Sequence, residues 1–261
     1  MADDLIIATE GPIARVTINR PQAYNAMKAV MWRDILRYVQ EIEHDPKIRV
    51  LIIEGSGRNF CSGADVGEFA ASLDKSPREM AVHWMRQADS INPLFVTLER
   101  IPQPVIASVR GVAAGGGLGL VAAADLVVAS ETSRYFAAQI KLGAIPDSAV
   151  SFNLRRAIGI RKAKQYCFLG DEMDAQTALD LGLVNWVVAD DQLEAETLKL
   201  ARRLSRMPVV AIARTKAALN ASFRNTLVDH FLEEAADVGR CVSHPDFAEN
   251  VRRFMDRKRP A

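Results

Sequence analysis

The sequence has few cysteines and histidines, and this scarcity excludes several classes of protein. Three cysteines, Cys61, Cys167 and Cys241, are widely spaced and odd in number, which is not the pattern of a disulfide framework. Together with only four histidines, they are too few and too scattered to supply the ligands of a zinc site. The N-terminus also lacks the charged-then-apolar pattern of a secretory signal. We therefore expect a reduced, cytoplasmic protein without a metal.

Net charge and long apolar runs are lacking as well. The 33 basic and 32 acidic side chains leave a formal charge of +1, so no overall field favours nucleic acid or an anionic membrane. No apolar run approaches the roughly 20 residues that a membrane-spanning helix needs. With 261 residues, of which 49% are hydrophobic, the chain can bury a substantial core. The composition indicates an ordinary globular protein that meets any anionic ligand with local charges.

The most informative stretch is an apolar strand followed by a glycine turn. Val105–Val109 is a strand-length apolar run, and Gly115, Gly116 and Gly117 precede a short apolar helix. At the first turn of a helix the backbone N–H groups have no intrahelical acceptor, so such a turn can hold an anion or a developing oxyanion. Close packing of helix on strand is the alternative reason for the glycines. A dinucleotide fingerprint fails, because Leu120 stands where its last glycine belongs.

A second turn of small residues follows another buried strand. Val50–Glu54 predicts the strand, and residues 59–69 read Asn-Phe-Cys-Ser-Gly-Ala-Asp-Val-Gly-Glu-Phe. Strands and helices alternate to about residue 190, and the pattern is helical from there on. This shift predicts a core over residues 1–190 and a helical C-terminal segment over residues 191–261.

Local signals place several individual elements. Residues 5–10 and 13–18 alternate well enough for a hairpin. Asn25 is predicted to cap the first long helix. Ser76 and Glu79 form a capping box around a proline and predict the start of the next one.

Taken together, these stretches resemble the crotonase (enoyl-CoA hydratase/isomerase) superfamily. The resemblance covers nearly the whole chain and implies an α/β fold of the ClpP/crotonase-like type, a spiral of ββα units with a helical C-terminal oligomerisation segment. It also implies a homotrimer or a dimer of trimers that acts on acyl-CoA thioesters in fatty acid metabolism. Coenzyme A would enter as part of the substrate, and no separate cofactor, nucleic acid or membrane partner is expected. The motifs that carry it are Asn19–Pro21, Asn25–Met27, Phe60–Asp65, Gly111–Gly119, Lys141–Pro146 and Ala178–Val184.

The resemblance also assigns site residues. It places an oxyanion hole on the backbone N–H groups of Ala64 and Gly116, in agreement with the anion-binding interpretation of the glycine turn. Asp65, next to Ala64, is expected to be a turn or cap residue rather than a catalyst. Contacts with substrate or coenzyme A are implied for Tyr24, Ala26, Lys28, Asp65, Val66, Gly117, Gln139 and Lys216.

At the positions that matter for the chemistry, this chain departs from the hydratases of the superfamily. They carry two glutamates, and the matching positions here hold Gly119 and Gln139, neither of which exchanges a proton at neutral pH. One carboxylate remains in the later loop, Asp147. In its motif this loop resembles the branch that contains the 1,2-epoxyphenylacetyl-CoA isomerases, where the aspartate is the acid/base. Considered alone, Pro146-Asp147-Ser148 fits a helix N-cap better.

Isomerisation by a single aspartate is the prediction that follows. Asp147 would take a proton near the activated thioester and return it elsewhere on the same face. Hydration is an alternative by the family label, although the two missing glutamates oppose it. A dehalogenase of the 4-chlorobenzoyl-CoA type would use Asp147 as a nucleophile, but its histidine base aligns with Asn92. Acyl-CoA hydrolysis and a non-catalytic scaffold of the same fold also stay open.

Overall fold

The alternation of strands and helices in the sequence is reproduced in the computed structural model, which describes residues 4–257. Short 3-10 turns lie at Pro21–Ala23, Ala138–Leu142 and Asp190–Gln192. In chain order the elements are β1 (Leu5–Glu10), β2 (Ile13–Ile18), α1 (Ala29–Glu43), β3 (Val50–Gly55), α2 (Val66–Ala70), α3 (Pro77–Arg100), β4 (Val105–Val109), β5 (Val112–Ala114), α4 (Gly116–Ala123), β6 (Leu126–Ser130), β7 (Arg134–Phe136), α5 (Val150–Ile158), α6 (Ile160–Leu169), β8 (Met173–Asp174), α7 (Ala175–Asp180), β9 (Trp186–Val188), α8 (Leu193–Ser205), α9 (Val209–Ala221), α10 (Leu227–Val242) and α11 (Pro245–Arg257).

The strands form two sheets, and the chain visits them in turn. The larger sheet has the order β1-β2-β3-β4-β6-β9, in which only the β1–β2 hairpin is antiparallel. The smaller sheet has the order β5-β7-β8. Thus β4 and β6 lie side by side in the first sheet, while β5 and β7, which follow them in sequence, pair in the second. This is the α/β spiral with a helical C-terminal end that the resemblance implied, and the predicted hairpin is confirmed.

Both faces of the larger sheet are buried. Leu51 and Ile53 of β3 belong to the main apolar core, which they share with α1 and α3. Val50 and Ile52 point to the other face, because successive side chains of a strand alternate, and there they pack with Leu193 of α8. The C-terminal segment predicted from residue 191 therefore begins with a helix, α8, that packs on the larger sheet.

The last helices carry large apolar side chains on their surface. In α10 no residue is buried, and Leu232 is 68% exposed. In α11, Phe254 is 57% exposed. Apolar surface of this extent is typical of an interface. None of the helices within residues 4–257 has the combination of length and hydropathy that a membrane span requires. The predicted N-terminal and C-terminal segments also include residues 1–3 and 258–261, which lie outside the described part of the chain.

The capping box of α3 is confirmed, but the predicted role of Asn25 is wrong. The Ser76 Oγ accepts from the Glu79 N–H, and the Glu79 carboxylate accepts from the Ser76 N–H at 3.0 Å. Helix α1 begins only at Ala29, whose N–H donates to the Glu68 carboxylate at 3.1 Å. The acceptor comes from 39 residues further along the chain, so no local signal could reveal it.

Asn25 instead holds together the turns before α1 and after β3. It is fully buried and has a φ of 57°, a left-handed conformation that asparagine tolerates well. Its Oδ1 accepts from the Arg20 N–H at 2.8 Å, and its Nδ2 donates to the carbonyls of Ser56 and Asn59 at 2.9 and 2.6 Å. One side chain therefore satisfies three part-buried backbone groups.

Asn25→Ala should lower the free energy of unfolding by about 2–4 kcal/mol, because it leaves these backbone groups unsatisfied. The midpoint of chemical unfolding, followed by circular dichroism, measures the change. Asn225→Ala is the matched control, since Asn225 makes one exposed hydrogen bond, to Glu233 at 2.7 Å. Equal midpoints for the two variants would contradict a structural role for Asn25.

Candidate active site

The turn after β3 is held against the residues that precede α1. The Ser62 N–H donates to the Tyr24 carbonyl at 3.0 Å, and the Met27 N–H donates to the Gly63 carbonyl at 2.8 Å. Met27 and Ala64 form an isolated parallel bridge, in which the Met27 carbonyl accepts from Asp65. The Ala64 N–H itself has no acceptor anywhere in residues 4–257. The turn therefore presents one unpaired backbone donor.

The glycine turn presents a second backbone donor. Gly116 is the first residue of α4, and no acceptor for its N–H lies within the described part of the chain. A Cβ at Gly116 would lie 2.9 Å from the Trp32 ring, and a Cβ at Gly117 would lie 2.2 Å from the Cys61 carbonyl oxygen. Side chains are excluded at both positions by close approach, so the packing and the anion-binding interpretations of the glycines are compatible.

The two turns are in direct contact. The Ala114 N–H donates to the Cys61 carbonyl at 2.9 Å, and Cys61 and Ala113 form a bridge. A Cβ at Gly63 would lie 3.2 Å from the Gly116 nitrogen. The residues that carry the unpaired N–H groups, Ala64 and Gly116, therefore lie in adjoining turns.

Asp147 lies in the loop before α5, and its side chain does not cap that helix. The N-cap is Ala149, without a side-chain hydrogen bond, so the capping alternative is wrong. The Asp147 Oδ1 accepts from Gln139 Nε2 at 3.1 Å and from Ser148 Oγ at 3.3 Å. Ser148 and Ala149 have φ values of 52° and 59°. Two consecutive left-handed residues other than glycine are strained, and such strain concentrates at functional sites.

The Asp147 loop packs directly on α4 and the glycine turn. A Cβ at Gly119 would lie 2.1 Å from the Ser148 carbonyl oxygen, and one at Gly116 would lie 3.4 Å from the Ser148 Oγ. A Cβ at Gly115 would lie 3.7 Å from the Gln139 amide. The carboxylate of Asp147 is thus hydrogen-bonded to Gln139, whose side chain faces the glycine turn. The Ser148 carbonyl leaves no space for a side chain at position 119.

Most of the other predicted contact residues surround Ala64. Tyr24, whose carbonyl accepts from Ser62, and Val66, the first residue of α2, are 61% and 59% exposed. Ala26 precedes the bridge residue Met27. Lys28 is partly exposed, and its Nζ pairs with the Asp4 carboxylate at 2.8 Å. The structure therefore brings the predicted residues 24, 26, 28 and 64–66 together, next to the glycine turn.

Asp65 is confirmed as a cap residue. Its Oδ1 accepts from the Gly67 N–H at 2.9 Å and begins α2. Its Oδ2 accepts from Arg20 Nη1 at 2.8 Å, and this hydrogen bond is the main reason that the pKa of Asp65 lies below its usual range. The same guanidinium donates to the Ala26 carbonyl at 2.5 Å. Asp65 is therefore an ionised structural group at neutral pH, and Arg20 ties the two segments together.

One residue of the site gave no functional signal in the sequence, and a residue of the Phe60–Asp65 motif has only a structural role. Trp32 looks like an ordinary core position of an amphipathic helix, yet its ring lies beneath Gly116. Cys61 is fully buried, and burial raises the pKa of its thiol to about 12, so it is an inert part of the turn. No group of three or more histidine, cysteine, aspartate or glutamate side chains in residues 4–257 is arranged to hold a metal ion.

Comparison with known proteins finds relatives of one family, and their similarity extends over nearly the whole chain. Residues 8–261 match the family model described as enoyl-CoA hydratase/isomerase. The chain is 31% identical to the 1,2-epoxyphenylacetyl-CoA isomerase of Escherichia coli (strain K12), over 100% of this chain and 98% of the relative. It is 30% identical to the short-chain-enoyl-CoA hydratase of Clostridium acetobutylicum, over 98% and 96%. The solved structure of an enoyl-CoA hydratase/isomerase from Cupriavidus metallidurans CH34 gives a TM-score of 0.91 at 29% identity, over 99% of this chain and 95% of that chain.

Lys216, in contrast, lies inside the protein and away from these turns. Its Nζ pairs with the Asp125 carboxylate at 2.7 Å and donates to the carbonyls of Leu98 and Gln103 at 2.8 and 3.1 Å. Burial lowers the pKa of Lys216 and raises that of Asp125, while their mutual attraction opposes both shifts. All three ammonium hydrogens have acceptors, so the structure argues against the predicted contact of Lys216 with coenzyme A.

Lys216→Met should lower the free energy of unfolding by about 2–4 kcal/mol, because the carbonyls of Leu98 and Gln103 and the partly accessible Asp125 carboxylate all lose the ammonium group that they share. Lys199→Met is the control, since Lys199 forms an exposed ion pair with Glu196 at 2.9 Å, and it should change stability little. For each variant and the wild type, the midpoint of chemical unfolding and the affinity for coenzyme A, measured by calorimetry, are to be determined. Unchanged stability with weakened binding would restore the predicted ligand contact.

Proposed function

Because the chain belongs to the enoyl-CoA hydratase/isomerase family, we propose that it is an isomerase of enoyl-CoA thioesters that works through an enolate. The observation that carries this proposal is the Asp147 carboxylate, which Gln139 holds beside the glycine turn. The relative named 1,2-epoxyphenylacetyl-CoA isomerase supports it, since its likeness to this chain extends over 100% of the chain.

The first part of the mechanism is the stabilisation of negative charge. The thioester oxygen accepts from the N–H groups of Ala64 and Gly116, which have no other acceptor in residues 4–257. Gly116 also begins α4, so the positive end of the helix dipole faces the same oxygen. Because these donors are held by the contact between two backbone turns, they need no reorganisation as charge develops. One such donor contributes about 3 kcal/mol to the stability of a transition state.

The second part is proton transfer within the substrate. With the carbonyl oxygen bound, a proton on the carbon next to the thioester, or at the vinylogous carbon, becomes acidic. Asp147 takes this proton and the substrate becomes an enolate. Asp147 then returns the proton to the other carbon, the double bond moves, and no atom is gained or lost.

Hydration is the second candidate, and it is favoured by the relative named short-chain-enoyl-CoA hydratase. The residues at the two positions that match the hydratase glutamates oppose it. Gln139 is an amide, and at Gly119 the Ser148 carbonyl occupies the space that a side chain needs. Water addition requires groups that position and deprotonate water, and these positions supply none.

The remaining expectations concern the binding of coenzyme A and assembly. We assign the coenzyme A portion of the substrate to the residues around Ala64, namely Tyr24, Ala26, Lys28, Asp65 and Val66, with Gly117 of the glycine turn. The exposed apolar side chains of α10 and α11 support association through these helices, and the assembly that we infer from the family is a homotrimer or a dimer of trimers. A cytoplasmic location stays a prediction.

The proposal is tested by incubating 2-enoyl-CoA and 3-enoyl-CoA thioesters in deuterated water and analysing them by mass spectrometry. The wild-type protein should incorporate deuterium and interconvert the two double-bond positions. Asp147→Asn should lower both rates at least about 100-fold, because general acid–base catalysis contributes that much. Asp180→Asn is the control, since Asp180 also accepts from a glutamine, Gln176, at 2.8 Å on the surface of α7. A mass gain of one water, or an unaffected Asp147→Asn variant, would overturn the proposal.

Gly119→Ala should lower isomerisation by about 10- to 100-fold, because a Cβ there displaces Ser148 and with it the neighbouring Asp147. Gly239→Ala is the matched control, since Gly239 lies in α10 and no atom lies within 4 Å of its added Cβ. The initial rates of double-bond migration by the two variants are to be compared. Equal rates would show that the Asp147 loop tolerates a side chain at position 119.

A further inference from the structure

We propose that Gln139 is a positioning residue, which holds one oxygen of Asp147 so that the other oxygen carries the proton. This inference rests on the proposed role of Asp147 and adds to it the group that orients the carboxylate. It gives Gln139 a role different from the substrate contact that the family resemblance implied.

The hydrogen bonds of Asp147 distinguish its two oxygens. Gln139 Nε2 and Ser148 Oγ both donate to Oδ1, at 3.1 and 3.3 Å. Oδ2 has no hydrogen-bond partner within residues 4–257. A carboxylate without such donors turns freely about its last bond, because that rotation is broad and shallow. With Oδ1 held, Oδ2 is the oxygen that is free to accept the proton of the substrate.

Gln139 is itself held in place. It lies in the 3-10 turn Ala138–Leu142, and its backbone carbonyl accepts from the Ala144 N–H at 3.0 Å. On its other side the amide faces the backbone of Gly115, where an added Cβ would lie 3.7 Å from Cδ and Nε2. The side chain therefore connects the glycine turn to Asp147, and the position of the carboxylate depends on the position of that turn.

The amide oxygen of Gln139 makes no hydrogen bond within residues 4–257, and this indicates that the amide acts through its nitrogen. Its Oε1 is buried and has no hydrogen-bond partner in the described part of the chain. Burying an unpaired acceptor costs about 1–3 kcal/mol, which an apolar side chain of equal length would not incur. The amide therefore contributes chiefly through its Nε2, and the acceptor of Nε2 is Asp147.

The same hydrogen bond suits both states of the base. When the proton is bound at Oδ2, Oδ1 is the carbonyl oxygen of a neutral acid and still accepts from Gln139. The geometry therefore persists when the proton is taken and when it is returned, so no reorganisation accompanies either step. A glutamate at position 139 has only acceptors when ionised and would repel Asp147 instead.

The test uses Gln139→Met, which keeps the length of the side chain and removes the donor. We expect kcat for double-bond migration to fall about 10- to 100-fold, since misplacement of a reacting group has effects of this size. KM should stay within about twofold of the wild-type value, because no substrate contact is lost. Gln139→Glu should reduce kcat further. Gln176→Met removes the exposed hydrogen bond from Gln176 to Asp180 and is the matched control, with unchanged kinetics.

A double variant shows whether Gln139 acts through Asp147. The residual rate of deuterium incorporation by Asp147→Asn should be the same with and without Gln139→Met, because the second change then has nothing left to position. A rise in KM at constant kcat, an additive loss in the double variant, or wild-type kinetics of Gln139→Met would each overturn the inference. If Gln139→Met fails to fold, as judged by circular dichroism, the same comparison with Gln139→Glu decides.

The two proposals fail in distinguishable ways. If Asp147→Asn retains the wild-type rate, Asp147 is not the base and the proposed function fails. If Asp147→Asn is inactive while Gln139→Met is as active as the wild type, the proposed function stands and only the positioning role of Gln139 fails.

Discussion

The contact of two backbone turns without intervening side chains is the constraint on which the candidate site depends. Gly63 and Gly117 have no Cβ, so the segments after β3 and β5 approach until the backbone at Gly63 meets the Gly116 nitrogen and Gly117 meets the Cys61 carbonyl. An added methyl group at Gly117 would lie 2.2 Å from that carbonyl oxygen. The turns, and with them the unpaired N–H groups of Ala64 and Gly116, are positioned by this approach. The Trp32 ring packs against Gly116, and Asn25 hydrogen-bonds to the backbone of the turn after β3.

The same close packing accounts for the chemistry that we propose. Gly119 admits the carbonyl of Ser148, and the chain reaches it through left-handed residues at 148 and 149, each of which costs about 1–2 kcal/mol. This strain persists because α5 and the glycine helix α4 pack around it. The loop whose Ser148 carbonyl fills the space at position 119 also carries Asp147. The same packing therefore excludes a glutamate at position 119 and places the carboxylate of Asp147 near the glycine turn.

Helices after the spiral serve two separate purposes. α8 covers one face of the larger sheet, and the Lys216–Asp125 pair attaches α9 to the start of β4, where Val105 donates to the same carboxylate at 2.7 Å. Beyond this attachment, α10 and α11 leave large apolar side chains exposed. Which apolar side chains of a helical run stay exposed cannot be read from composition, because it depends on which helix face packs against the rest of the chain.

Local sequence patterns determined the hairpin, the buried strands, the capping box at Ser76 and the glycine turn, because each of them depends on residues close together in the chain. The family motifs Phe60–Asp65 and Gly111–Gly119 also indicated which backbone N–H groups to examine, and the loop that begins at Lys141 indicated the carboxylate. Only the tertiary structure decided the roles of Asn25, Asp147 and Lys216. The partners of Asn25 and Lys216 lie up to 118 residues away, and whether Asp147 caps a helix or meets Gln139 depends on how a strained loop packs against α4. Such roles follow from the distances that folding creates, which a linear pattern does not contain.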